Sequence, residues 1–253
     1  MRGFVLLAGL FAFPFEVSAQ GLDLGALLPE GGGSASGRII QLVALLTVLS
    51  LAPGLLIMVT SFTRFIVALS FLRSGLGVPS TPANLILISL ALFMTFYVMG
   101  PAFTRAWDTG VTPLMENRIS EEEAFGRIVD PFRSFMLEHV REKDLAMFDD
   151  LRRGEGVDEA APEAGAGEEA ETAIDLGVLI PAFMISELRR GFEIGFLIIM
   201  PFLVIDLIVA TLVMSMGMMM LPPTVISLPF KILFFILIDG WNVLVGGLVR
   251  SFF

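Results

Sequence analysis

Residues 176–223 read LGVLIPAFMISELRRGFEIGFLIIMPFLVIDLIVATLVMSMGMMMLPP. Up to Met220 these are 45 residues of which only Glu187, Arg189, Arg190, Glu193 and Asp206 carry charge. A membrane-crossing helix needs about 20 apolar residues, so the stretch is too long for one straight span. The charge cluster predicts one helical section to about Gly191 and a second to about Val213, with Pro201 distorting the second. Pro222-Pro223 must end any helix there, because proline offers no backbone N–H. The methionine-rich tract Met214-Ser215-Met216-Gly217-Met218-Met219-Met220 therefore falls at a turn. Beyond it a further apolar segment is expected from about Ser227 to Val249, with Ser227 as cap, Pro229 in the first turn, and Lys231 and Asp239 interrupting it.

Toward the N-terminus the pattern repeats. Arg38 is followed by 25 uncharged residues up to Arg64. This predicts a first long segment, kinked at Pro53 and continuing as a helix from Ser61 to Arg73. After a turn at Gly75–Pro82, residues 83–103 form a second segment. Arg64 and Arg73 are the only charges between Arg38 and Arg105. That puts the connection on the cytoplasmic side by the excess of positive charge found in cytoplasmic loops. The expected fold is all-α, a multi-helix membrane protein with kinked, broken helical hairpins and about four long apolar segments: one hairpin over 38–103, a second over 176–253, the latter holding the methionine loop at 214–223.

Composition agrees. Hydrophobic residues are 55% and charged residues 17% of the 253, against ~45–50% and ~25% in soluble domains. The net charge of −10 is local: residues 104–175 hold 8 Lys+Arg and 19 Asp+Glu. This region is expected to be extracytoplasmic and helical. Ser120 and Glu123 form a capping box for a short helix to Val129. A second helix is expected to start at Asp130-Pro131 and to run to about Gly154. Residues 155–172, acidic and nearly free of large apolar side chains, are expected to be disordered. No basic patch suits nucleic acid. With no cysteine and only His139, thiolate chemistry and Cys- or His-rich metal sites are excluded. Residues 1–19 read as a signal peptide: Arg2, an 11-residue apolar core to Phe13, and the small residues Val17-Ser18-Ala19. Cleavage is expected between Ala19 and Gln20. Residues 20–37 are a Gly/Ser-rich flexible leader.

No catalytic constellation is present: no H-E-x-x-H, G-x-S-x-G or glycine-rich phosphate loop. Methionine is unbranched and polarizable, so the tract Met214, Met216, Gly217, Met218, Met219, Met220 suits either an adaptable seal or an ordinary helix end in lipid or core. Charges in apolar helices are costly, ~2.5–3.5 kcal/mol each on insertion scales. Arg64, Arg189, Arg190, Glu193, Asp206, Lys231 and Asp239 therefore need partners within the bundle, across subunits, or in an ion pathway. Glu187 with Arg190, and Arg189 with Glu193, have the spacing of helical pairs. An Asp206/Asp239 aspartyl protease lacks any supporting motif.

Four tracts then carry a resemblance: LLTVLSLAPGLLIMVTSFTRFIVALSFLR (45–73), FRSFMLEHVREKDLAMF (132–148), SELRRGFEIGFLIIMPFLVIDLIVATLVMSMGMMMLPP (186–223) and SLPFKILFFILIDGW (227–241). They closely resemble the FliP family of type III export-gate subunits, with injectisome counterparts similar in fold. The resemblance covers nearly all of the chain after the leader; residues 155–172 stand outside the family pattern as an insert. It implies a pentamer assembled with FliQ-like, FliR-like and FlhB-like subunits inside the basal-body ring, in the bacterial inner membrane and partly raised to the periplasmic side. Unfolded flagellar subunits would pass through it, with the methionine loop as gasket, and with no cofactor or enzymatic step. An ion-coupled secondary transporter using Asp206 is the alternative from a different class.

Overall fold

The computed structural model describes residues 40–253 except 155–173, 218–221, Pro79 and scattered positions between 41 and 55. The expected cleavage site, Ala19 and Gln20, therefore lies outside the described residues, together with the rest of the signal peptide and the leader. So do Pro53, the acidic stretch and Met218–Met220. The chain falls into two units, Met1–Leu51 and Ala52–Phe253. In the first, the described residues from 40 to 51 are helical, with Thr47 donating its hydroxyl to Val43 O (2.7 Å). The second unit carries the fold.

All regular structure among the described residues is helical. In order these are α1 (Phe62–Leu76), α2 (Asn84–Ala106), a π-helical turn (Trp107–Val111), α3 (Thr112–Met115), α4 (Glu121–His139), α5 (Glu142–Gly154), α6 (Leu176–Ser215), α7 (Pro223–Leu237) and α8 (Gly240–Arg250). Local chemistry sets several ends. α1 stops at Gly77, whose φ of 76° lets its N–H bond Ser74 O. α4 starts on Ser120, whose side chain accepts from Glu123 N–H. α6 starts on Asp175, which accepts from Gly177 N–H.

Helix α1 is the axis of the unit. Its fully buried Phe65, Leu69 and Leu72 meet Leu87 and Met94 of α2 and Leu248 of α8 in the main core. Against α6 it packs in parallel, through glycines spaced four apart. A Cβ added at Gly195 would come 2.5 Å from Phe71 Cγ, and one at Gly191 3.0 Å from Val67 Cβ. Further along, Gly75 of α1 makes room in turn for Phe202 of α6 (2.8 Å). Small residues at this spacing let two backbones approach closely, a device of membrane helices. A smaller core of Met136, Leu179 and Phe183 joins α4 to the start of α6.

The architecture departs from the sequence expectations at four places. Helix α4 does not stop before Pro131 but runs through it. The proline cannot donate to Arg127 O, which faces the Thr109 hydroxyl of the π-helical turn at 3.4 Å, while the short bond of that hydroxyl goes to Arg105 O (2.7 Å). The break comes later, at Val140 (ψ 146°), where Arg141 N–H leaves the helix pattern for Ser186 Oγ on α6 (3.1 Å). The expected single helix to Gly154 is therefore two. Conversely, α6 is one unbroken 40-residue helix with Pro181 and Pro201 inside it. Its charges other than Arg190 find partners without unwinding. Finally, α7 begins at Pro223, so that Ser227 and Pro229 lie in its interior. The last apolar segment is divided instead at Ile238–Asp239, where Asp239 takes φ 51° and the axis bends by 65°. Gly240 permits the corner, since a Cβ there would strike the Phe235 ring at 2.3 Å.

By length and composition, Asn84–Met115 and Leu176–Ser215 are long and apolar enough to cross a membrane, and the bent pair α7–α8 makes a third candidate. The fold is all-α with broken helices, as expected; the first of the four expected segments lies partly outside the described residues. At 1.5 Å per residue α6 is about 60 Å long, twice the ~30 Å of hydrocarbon in a bilayer.

Candidate functional site

One fully buried ion pair, a second whose lysine is buried and whose aspartate is partly exposed, and the methionine turn sit along α6. In its first third, Glu187 meets Arg64 of α1 through a two-pronged contact: Arg64 Nε donates to Oε2 (2.8 Å) and Nη2 to Oε1. Arg64 Nη1 donates to Ser251 O (2.8 Å) and Oγ (3.0 Å), and its guanidinium lies 3.5 Å over the Phe252 ring. The side chains are 1% and 0% exposed. The planar fork of arginine suits this task, giving parallel bonds to a carboxylate and a face for an aromatic ring. His139 closes the same region, buried, with Nδ1 near Phe135 O and Nε2 near Phe252 O and its ring against both phenylalanines.

The second pair lies 19 residues further along α6, about 28 Å at the helical rise. Lys231 Nζ of α7 donates to Asp206 Oδ2 (2.6 Å) and to Gly75 O at the end of α1 (3.0 Å); Ser227 Oγ donates to Asp206 Oδ1 (2.5 Å). One ammonium thus ties three helices and also satisfies a carbonyl in the last turn of α1. Between the tiers, residues 194–205 carry no charge.

The remaining expected residues are placed as follows. Arg189 and Glu193 pair on the exposed face of α6 (3.0 Å). Glu187 goes to Arg64 and not to Arg190, as its spacing had suggested: a partner that supplies a second helix also removes both charges from apolar surroundings. Arg190 is half-buried and Arg250 exposed; among the described residues neither has an ion-pair or hydrogen-bond partner through its side chain. Asp239 is exposed and accepts from Asn242 Nδ2 (3.2 Å). Met214 and Met216 are exposed, and Gly217 (φ 74°) turns the chain, its N–H on Met214 O (3.1 Å). Because α1 and α6 run parallel, this turn and the Gly77 turn point to the same end. Sequence reasoning had missed Ser251, Phe252 and Ser227 as partners. The signal for Ser227 was present, a serine one helical turn from Lys231; that for the C-terminal residues was not.

Away from the tiers, Asp175 at the start of α6 is held below the usual carboxylate range by the Gly177 N–H first and the Arg152 guanidinium second. No three His, Cys, Asp or Glu side chains among the described residues lie together as metal ligands would. An apolar groove of about 280 Å³ opens between α6, α7 and α8, with Leu72, Ile198, Phe202, Phe235 and Leu244 among its walls.

Long apolar helices tied together by interhelical ion pairs define a polytopic α-helical membrane protein. The FliP family model matches residues 45–248. The chain is 58% identical over 252 residues to the flagellar biosynthetic protein FliP of Agrobacterium fabrum, covering 100% of this chain and 99% of the relative. It is 57% identical to that of Rhizobium meliloti (97% and 93%) and 48% identical to that of Bacillus subtilis (84% and 91%). The chain belongs to the FliP family. The alignment with the A. fabrum protein takes in the acidic stretch at 155–172 as well.

Proposed function

We propose that this chain is a core, non-enzymatic subunit of the flagellar protein export gate, and that its methionine turn seals the channel through which unfolded flagellar subunits leave the cell. One observation carries the reading. The end of a 40-residue apolar helix delivers five methionines into a seven-residue stretch, with Met214 and Met216 exposed, a left-handed glycine between them and the rest, and a new helix starting at Pro223. Flexible thioether side chains on a short turn can close around irregular shapes and yield to a passing chain. Several copies arranged in a ring would close an aperture.

In this reading the subunit sits in the bacterial inner membrane within the flagellar basal body, as a pentamer with FliQ-like, FliR-like and FlhB-like subunits. Residues 1–19 serve as a signal peptide, cut between Ala19 and Gln20. Residues 20–37 serve as a leader, and 104–175 as an extracytoplasmic region. The outward apolar faces of α2 and α6, including Phe93, Phe96, Tyr97, Phe196 and Leu207, then meet neighbours as well as lipid. That suits a helix twice as long as the hydrocarbon is thick. The pairing of Asp206 with Lys231 speaks against the carboxylate as an ion carrier, which would have to release a buried ammonium at each cycle.

The test is replacement of Met218, Met219 and Met220 together by alanine in the assembled complex. The expected result is an ion and small-solute leak with assembly unchanged. A complex that assembles and stays as tight as the parent refutes the seal.

A further inference from the structure

The groove between α6, α7 and α8 lies in the charge-free band between the two ionic tiers. At about 280 Å³ it falls just below the ~300–1,000 Å³ of small-molecule sites, room for a chain segment and not for a whole lipid. Its α6 wall is formed by Ile194, Leu197, Ile198 and Pro201. These follow Arg190 by 4, 7, 8 and 11 residues, the spacing of one helical stripe. Its α8 wall includes Gly247, Val243 and Gly240, which precede Arg250 by 3, 7 and 10 residues. Each wall therefore ends in an arginine, at the same end of the groove.

Each arginine adjoins a residue that packs against Arg64. Arg250 is next to Ser251, whose carbonyl Arg64 holds, and Arg190 is next to Gly191, where an added Cβ would lie 3.5 Å from Arg64 Cα. Of the carboxylates near this level, Glu187 is paired with Arg64 and Glu193 with Arg189, and Asp144 of α5 accepts from Ser186 Oγ (2.7 Å). Arg190 and Arg250 thus carry positive charge without an ion-pair partner among the described residues, about one helical turn beyond the lining residues Ile194 and Gly247, where the charge-free band ends.

We propose that the groove binds an anionic glycerophospholipid, with one acyl chain between α6 and α8 and the phosphate between Arg190 and Arg250. The charge left over matches a phosphodiester headgroup, and basic pockets between membrane helices are recognised sites for such lipids. A neighbouring polypeptide would have to bring its own carboxylates to the same depth. The site depends on the membrane placement of α6 and is independent of whether the methionine turn seals a channel.

The test uses the full-length protein in its assembled complex, exchanged into nanodiscs of equal parts phosphatidylglycerol and phosphatidylcholine, then released for native mass spectrometry. The parent protein is expected to retain phosphatidylglycerol preferentially. The double variant R190Q/R250Q should lose that preference by roughly thirtyfold, about fivefold per arginine. Gly247→Leu has open space for its first side-chain atom and should fill the groove, lowering retention of both lipids. Gly246→Leu is also open at Cβ but not on the wall, and should leave both unchanged. A photo-crosslinker at the exposed Val243 should capture lipid. Equal retention of the two lipids by the parent, an undiminished preference in the double variant, or capture of a second polypeptide with no lipid retained would each overturn the proposal.

Discussion

Replacing either member of the Arg64–Glu187 pair should be strongly and unequally destabilising. Breaking a fully buried ion pair costs about 3–5 kcal/mol, because the surviving charge is stranded away from water. The surroundings decide where in that range each variant falls. In Glu187→Met, Arg64 keeps its two bonds to Ser251 and its place over Phe252, and a desolvated cation–π contact is itself worth about 2 kcal/mol. The cost should lie near 3 kcal/mol. In Arg64→Met, Glu187 is 0% exposed and loses its hydrogen-bond partner, so about 4–5 kcal/mol is expected. At about 2–4 °C per kcal/mol for a domain of this size, the thermal unfolding midpoint in mild detergent should drop by about 6–12 °C in the first and 8–20 °C in the second. The double variant removes both charges and leaves Ser251 O as the main unsatisfied group, at about 1–3 kcal/mol. It should therefore be more stable than Arg64→Met alone. If Glu187→Met proved the worse single variant, or if the double variant lost the sum of the two, the reasoning would fail.

Other tests bear on the packing and the helix start. Gly195→Ala places a methyl 2.5 Å from Phe71 Cγ; overpacking of this kind costs about 1–3 kcal/mol, visible as a lower unfolding midpoint, whereas Gly100→Ala, with open space at Cβ, should not show it. Asp175→Asn keeps a helix cap but removes the charge. Since the folded carboxyl is held below its ordinary value, its contribution is present above about pH 4 and is lost as the pH falls through the lowered value. The side chain is 50% exposed, so the effect is small: the parent should exceed the variant by less than about 1 kcal/mol at pH 7, with the two converging under acid in a pH series of thermal melts.

Much of the architecture is legible in the sequence for a physical reason. A run of 25 uncharged residues before Arg64, or of 12 between Glu193 and Asp206, has few fates other than a helix against lipid or protein. Ser120 and Glu123 fix a helix start from four residues alone. What the chain conceals is compensation from a distance. Pro131 looks like a start signal, yet α4 runs through it, with Thr109, 22 residues earlier, 3.4 Å from the carbonyl that the proline cannot bond. Glu187 has Arg190 within a helical turn, yet its partner is 123 residues away. The charges around Gly191 look like an interruption of α6 when each is taken alone; with Glu187 paired to Arg64 and Arg189 to Glu193, the helix continues. The corner at Asp239-Gly240 is an Asp-Gly turn signal set inside an apolar run, and the run dominated the reading.

The Arg64 site also fixes an order of events. Its three partner residues are all made long after it: Glu187 on the long helix, and Ser251 and Phe252 beyond α8. At ribosomal rates of about 5–20 residues per second, Arg64 is made on the order of 10–40 s before Ser251. Throughout that interval the arginine is in the membrane or at its edge without its permanent neighbours, needing water, headgroups or the insertion machinery to keep it solvated. The pocket closes only after Ser251 and Phe252 have been made, so the burial of Arg64 is a record that the chain has been delivered as far as Phe252.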